Sequence, residues 1–280
     1  MIETRYIFRS IELYRSVTSK TQLVYVEERI AAGFPSPAQD YASPTLDLNE
    51  KLIQHPAATL VGRVTGFLEY DGIKKDDILI VDRSLTVIDY DLVLCILNGE
   101  FMVRRVRRSK NIIKLCEESD KEPIIEEFVV VGVIIASIHS KRPLDEMLFP
   151  HSYLDLFQDN MDWDLTDTSY LPSLDLNKLL IRNAASTFYS RVGGDSLSNV
   201  GVRKGDLVVI DKSLSLHHND IALRYLDNGF TLKFVSREKD SIWLIPASEK
   251  YSPIKITNEE ENFRIWGVVT AIINLWRRRK

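Results

Sequence analysis

The sequence predicts an all-β protein built from two tandem copies of one domain, and three observations predict it. Short runs of Val, Ile and Leu recur between clusters of Asp, Asn, Gly and Lys, which is the spacing of strands in a barrel or sandwich. Leu46-Asp47-Leu48-Asn49 returns as Leu174-Asp175-Leu176-Asn177, and the match continues through Ile53 and Ile181, Thr59 and Thr187, and Arg63-Val64 and Arg191-Val192. A one-residue gap in the first copy near position 67 keeps the copies in step, so that Asp77 to Asp82 falls on Asp206 to Asp211, Asp91 on Asp220 and Phe101 on Phe230. The length of 280 residues accommodates two domains of ordinary size.

The elements follow in order. Ile11 to Val17 reads as a short helix, and Leu48 to Gln54, with its counterpart in the second copy, as another. Strands are expected at Ile78 to Val81, Leu92 to Leu97 and Phe128 to Ile138, and at their partners Leu207 to Ile210, Ile221 to Leu226 and Ile265 to Ile273. Asn98-Gly99 and Asn228-Gly229 mark hairpin turns at equivalent places. The resulting plan is an N-terminal arm over 1–45, one domain over 46–142, a linker over 143–173 and a second domain over 174–280. The stretch from Pro143 to Asn177 has no Lys or Arg but carries Asp145, Glu146, Asp155, Asp159, Asp162, Asp164, Asp167 and Asp175. Leu148, Phe149, Tyr153 and Trp163 lie among them, so it is read as a linker packed on a domain surface, not a free tether. Arg277-Arg278-Arg279-Lys280 reads as a solvated basic tail.

Charge and composition exclude several classes. With 36 Lys+Arg against 40 Asp+Glu the net charge is −4, which argues against a general nucleic-acid cradle. The longest apolar run, Phe128 to Ile138, is far short of the roughly 20 residues of a membrane-spanning helix, so no membrane association is expected. Met1 to Ser10 carries Glu3, Arg5 and Arg9 and precedes no apolar signal region. Cys95 and Cys116 sit in apolar runs and read as buried reduced thiols, in keeping with a cytoplasmic protein.

Two residues stand out chemically. Ser196 lies on the turn Gly194-Asp195-Ser196-Leu197, which alone is ordinary turn chemistry. Lys233 lies in the strand Phe230 to Phe234, where alternation sets Phe230, Leu232 and Phe234 on one face and Thr231, Lys233 and Val235 on the other. A strand lysine is ordinarily solvent-facing and charged, with a pKa of about 10.4. Only burial would let it act as a base, and bringing it near neutrality costs roughly 4 kcal/mol. Ser-His-Asp catalysis would need an imidazole to take the hydroxyl proton. The lipase and esterase family that Gly-Asp-Ser-Leu superficially resembles carries an Asp-x-x-His block near its C-terminus, and it is excluded because no histidine here has an aspartate three residues before it and none follows His218. A Ser-Lys dyad is the specific alternative, with Ser196 as nucleophile, Lys233 as desolvated base and backbone N–H groups at the turn holding the oxyanion.

Gly33-Phe34-Pro35-Ser36-Pro37-Ala38-Gln39-Asp40-Tyr41, Leu46-Asp47-Leu48-Asn49, Leu52-Ile53-Gln54-His55-Pro56 and Asp77 to Asp82 resemble the LexA/UmuD family of self-cleaving Ser-Lys peptidases. The resemblance covers about Ala31 to Arg142 and Leu174 to the C-terminus. It implies two tandem LexA/UmuD-like β domains forming an intramolecular pseudo-dimer by gene fusion, with the nucleophile on Ser196, the base on Lys233 and the cleavage junction on Ala32-Gly33. The first copy departs from the pattern. Gly66 to Gly72 is one residue short, with Leu68 where the serine would stand and Arg104 at the lysine position. Arginine does not lose its proton in a protein, so the first site is read as degenerate.

The resemblance further implies SOS mutagenesis. A RecA–single-stranded DNA filament stimulates cleavage, and the product serves a Y-family, UmuC-like translesion DNA polymerase, with no cofactor and no metal. Residues Gly33 to Leu46 could extend about 45 Å, against a domain roughly 35 Å across, so the junction can reach the far copy or another molecule. The rival class is a non-enzymatic pseudo-dimeric scaffold that binds the polymerase or RecA with an idle dyad. Sequence-specific DNA binding is not expected, because about 30 residues before the junction leave no room for a winged helix-turn-helix. Leader peptidases share the Ser-Lys chemistry but carry a membrane anchor. Further self-association is left open.

Overall fold

A computed structural model describes residues 11–17, 19–26, 45–66, 70–110, 112–116, 123–124, 127–149, 168–169, 171–193, 197, 201–226, 229–238, 241–245, 252–256 and 264–276. The N-terminal segment supplies β1 (Ile11–Ser16) and β2 (Gln22–Val26). The first copy contains β3 (Thr45–Asp47), α1 (Leu48–Leu52), β4 (Thr59–Val64), β5 (Ile78–Asp82), β6 (Leu92–Leu97), β7 (Glu100–Ser109), β8 (Ile112–Cys116), β9 (Pro123–Ile124) and β10 (Phe128–Ser140). The second repeats the order as β11 (Ser173–Leu174), α2 (Leu176–Leu180), β12 (Thr187–Arg191), β13 (Leu207–Asp211), β14 (Ile221–Leu226), β15 (Gly229–Arg237), β16 (Ile242–Ile245), β17 (Ile254–Ile256) and β18 (Arg264–Leu275). The all-β, tandem expectation is borne out.

Equivalent residues do equivalent work. Asp47 and Asp175 cap α1 and α2, accepting from Glu50 N at 2.9 Å and from Asn177 N at 3.0 Å. Thr59 and Thr187 each donate a hydroxyl hydrogen bond to a carbonyl four residues back, to His55 O at 2.9 Å and Asn183 O at 2.7 Å. The long strands β10 and β18 each bend at a register shift and so serve two neighbours, β5 and β6 in one copy and β13 and β14 in the other. Glycine sits beside the bend in both. A Cβ on Gly132 would lie 2.8 Å from Val81 Cγ1, and one on Gly267 would lie 2.6 Å from Ile210 Cγ2 and 3.0 Å from Asp211 O. Gly267→Ala is therefore expected to lower stability by about 1–3 kcal/mol, read as a fall in the urea midpoint; an unchanged midpoint would contradict the close approach.

The two copies share one core. β10 pairs antiparallel with β18, Ile138 opposite Ile273, so a single sheet runs β1-β4-β5-β10-β18-β13-β12-β2. Laid flat, its outer strands would stand about 34 Å apart at about 4.8 Å per spacing. The six peptide steps from Ser16 to Gln22 span at most about 20 Å, so the sheet curls. Every one of its strands contributes to the enclosed cluster: Tyr14, Leu23, Val61, Ile80, Ile138, Ile273, Val209 and Tyr189, together with Leu48 and Leu52 of α1 and Leu176 and Leu179 of α2. Arg142, just past β10, clamps Asp220 of the second copy at 2.6 and 2.9 Å.

Two expectations are corrected. Ile11 to Val17 is not helical: Ile11 to Ser16 forms β1, because Ile11 and Leu13 bury against the first copy's cluster while Tyr14 enters the shared core. Packing on both sides removes the alternation that marks a strand. The second hairpin also closes one residue earlier than expected. Leu226 pairs with Gly229 as Leu97 pairs with Glu100, so Gly229 begins β15 and the two-residue turn is 227–228, outside the described residues. In the first hairpin Asn98 and Gly99 take φ of 52° and 81°, the left-handed pair that the turn requires.

The linker is described only at its ends. Arg63 binds Glu146 at 2.6 and 2.7 Å and stacks 4.1 Å over Phe149, while Leu171 is buried in the first copy's cluster. Both cysteines are buried and unbridged. No helix among the described residues is long and apolar enough to cross a membrane.

Candidate functional site

Lys233 lies in the interior of β15, opposite Ala222 of β14. Its neighbour Leu232 packs on one side with Phe188, Val192, Leu197 and Val202, while Val235, on the lysine's own side, packs with Ala222 and Leu244. Both faces of the strand are covered here, and Lys233 is only 8% exposed. The ordinary solvent-facing reading of this lysine does not hold. Burial lowers its pKa below the ordinary lysine value, and the positive charge of Arg224, itself buried, lowers it further.

Ser196, Ala32, Gly33 and Leu68 lie outside the described residues. The chain neighbour of Ser196 is described: Leu197 is 2% exposed, accepts from Val202 N at 3.3 Å, and packs in the same cluster as Leu232. Behind that turn, Asn274 Nδ2 donates to Gly201 O at 2.8 Å and to Asp206 Oδ2 at 2.6 Å. In the first copy the same buried aspartate position, Asp77, faces His139 Nδ1 at 2.7 Å.

The first copy differs at the matching place. Tyr70 is 4% exposed and closes a tight turn with Ile73 through Asp71 and Gly72, both at positive φ. Its hydroxyl donates to Cys116 O at 3.3 Å and accepts from Arg105 N at 3.2 Å. Arg104, at the lysine position, directs its guanidinium over the Tyr70 ring at 5.2 Å and donates to Val103 O at 2.8 Å. Cys95, on the strand paired with β7, has its thiol pushed up to about 12 by burial, although Arg104 pulls it down slightly. Among the described residues no group of three or more His, Cys, Asp and Glu side chains could hold a metal ion.

Sequence reasoning missed the role of the repeated Leu-Asp-Leu-Asn. Asn49 Nδ2 donates to Ser19 O at 3.0 Å and to Asp175 Oδ1 of the other copy at 3.2 Å. Asn177 Nδ2 donates to the same Ser19 O at 3.2 Å and to Asp47 Oδ2 at 3.3 Å. The tetrapeptide thus stitches the copies together at their pseudo-twofold axis. Its recurrence marked the duplication, but nothing in it pointed to Ser19.

A duplicated β domain, with a buried strand lysine in one copy and an arginine beside a buried tyrosine at the matching place in the other, defines the class: a tandem pair of one β fold. The chain belongs to the peptidase S24-like family, whose profile matches residues 23–135 and again 161–270. It is similar to the protein SamA of Salmonella typhimurium, 38% identical over 121 residues that span 86% of SamA but 42% of this chain. It is also similar to the protein MucA of Salmonella typhimurium, 46% identical over 80 residues covering 28% of this chain and 55% of MucA. The LexA repressor of Syntrophotalea carbinolica is 40% identical over 90 residues, 32% of this chain and 44% of the repressor. The resemblance to the LexA/UmuD family and the duplication are both borne out.

Proposed function

We propose that the chain is a UmuD-like SOS mutagenesis factor that cuts itself at Ala32-Gly33. Neutral Lys233 accepts the Ser196 hydroxyl proton as the oxygen attacks the Ala32 carbonyl carbon. The resulting ammonium returns a proton to the leaving Gly33 nitrogen, and water, deprotonated by the same lysine, releases the acyl group. The single observation that carries this reading is the burial of Lys233 on an interior strand, with its pKa lowered.

The path of the N-terminal segment supports cutting within one chain. β2 runs parallel to β12, Tyr25 beside Tyr189 and Val26 beside Ser190. The same number of residues separates Val26 from Ala32 as separates Ser190 from Ser196. β2 is thus seated beside a strand of the copy that keeps the lysine, while also pairing with β3 of the first copy. A RecA–single-stranded DNA filament would favour the competent state, and the product would serve a Y-family polymerase.

Purified protein incubated with RecA, single-stranded DNA and ATP is expected to yield a product starting at Gly33 that is absent from Ser196→Ala. The same product from Ser196→Ala would overturn the assignment. One observation favours the rival scaffold: residues 11–26 are built into the core of both copies. A chain that stays intact in that incubation yet binds a Y-family polymerase would support it.

A further inference from the structure

β1 lies between β4 of the first copy, antiparallel, and β11 of the second, parallel. β2 lies between β12 of the second copy, parallel, and β3 of the first, antiparallel. The two slots are equivalent under the duplication: Tyr14 stands opposite Val61, Tyr25 stands opposite Tyr189, and Val61 and Tyr189 are matching positions. The chain fills them in opposite senses because one segment passes through both, crossing the pseudo-twofold axis at Ser19. Ser19 is pinned there, since its carbonyl accepts from Asn49 and Asn177 and its hydroxyl binds Asp175. The apolar anchors are fully engaged, with Leu13 at 0%, Tyr14 at 1%, Ile11 at 2% and Leu23 at 4% exposed.

We infer that residues 11–26 are a strand clasp that stays seated after the chain is cut beyond it. The two slots form a strand-accepting surface whose occupant is this segment, held by ladder hydrogen bonds, four buried apolar side chains and the Ser19 anchor, none of which needs the connection through residues 27–44. Cutting at Ala32-Gly33 then nicks the protein into a two-chain complex and does not trim it. The clasp bears on the proposed self-cleavage as its consequence, but its retention does not depend on which enzyme makes the cut.

The test uses full-length Ser196→Ala protein with a specific protease recognition sequence inserted between Ser36 and Pro37. After cutting, the short fragment is expected to co-migrate with the remainder in equal amounts by native size exclusion and to separate only in denaturant. Leu13→Ala in the same protein should increase its loss at least about tenfold. Loss of the fragment from the parent sequence in native buffer overturns the inference, whether or not the remainder stays folded. Because an added protease makes the cut, failure of self-cleavage would leave this result readable.

Discussion

Lys233→Met is expected to abolish appearance of the Gly33 product while making the fold more stable at neutral pH. Removing a general base of this kind costs about 10²–10⁴-fold in rate. The stability gain has a definite pH signature. With its pKa depressed by burial and by Arg224, folded Lys233 binds fewer protons than the unfolded chain between its folded pKa and the ordinary value of about 10.4. Stability of the parent protein therefore rises with pH across that window. Below it, the full cost of burying an ammonium is present in the parent and absent from the variant. Urea unfolding of both proteins from pH 6 to 11 should show the advantage of Lys233→Met largest at the acid end and gone above about 10.4. A variant less stable than the parent at neutral pH would mean that the lysine is held there as a satisfied cation.

Ile138→Ala is expected to destabilise both copies together. Ile138 and Ile273 face each other across the β10–β18 seam, and each is 0% exposed within the cluster that the copies share. Truncation of such a side chain costs about 2–5 kcal/mol. Hydrogen exchange read separately on peptides from β6 and β14 should lose equal protection, because one core links the copies. Loss confined to the first copy would contradict the shared core and restore a picture of two independent domains.

Much of this was legible because the duplication imposes a second reading on every element: the strands, α1 and α2 and the first hairpin all follow from aligned residues. What was not legible depends on contacts far apart in sequence. Ile11 to Ser16 lost its alternation by packing on two sides. Residues 11–26 gave no sign that they would enter both copies, since strand addition is set by which edges are open and not by local pattern. Lys233 carried a clue in Val235 on its own face, whose burial means that face is covered. The shortened Gly66 to Gly72 segment was recognisable as a departure from the family pattern, but the Tyr70 hydrogen bonds to Cys116 and Arg105 depend on β7 and the end of β8.

The most direct measurement is a ¹⁵N-lysine NMR titration of Lys233 in the Ser196→Ala protein, with Lys233→Arg identifying the resonance. The account predicts that this side chain deprotonates below the ordinary lysine value of about 10.4, in the direction set by its burial and by Arg224. A midpoint at or above about 10.4 would contradict it and remove the base from the proposed chemistry.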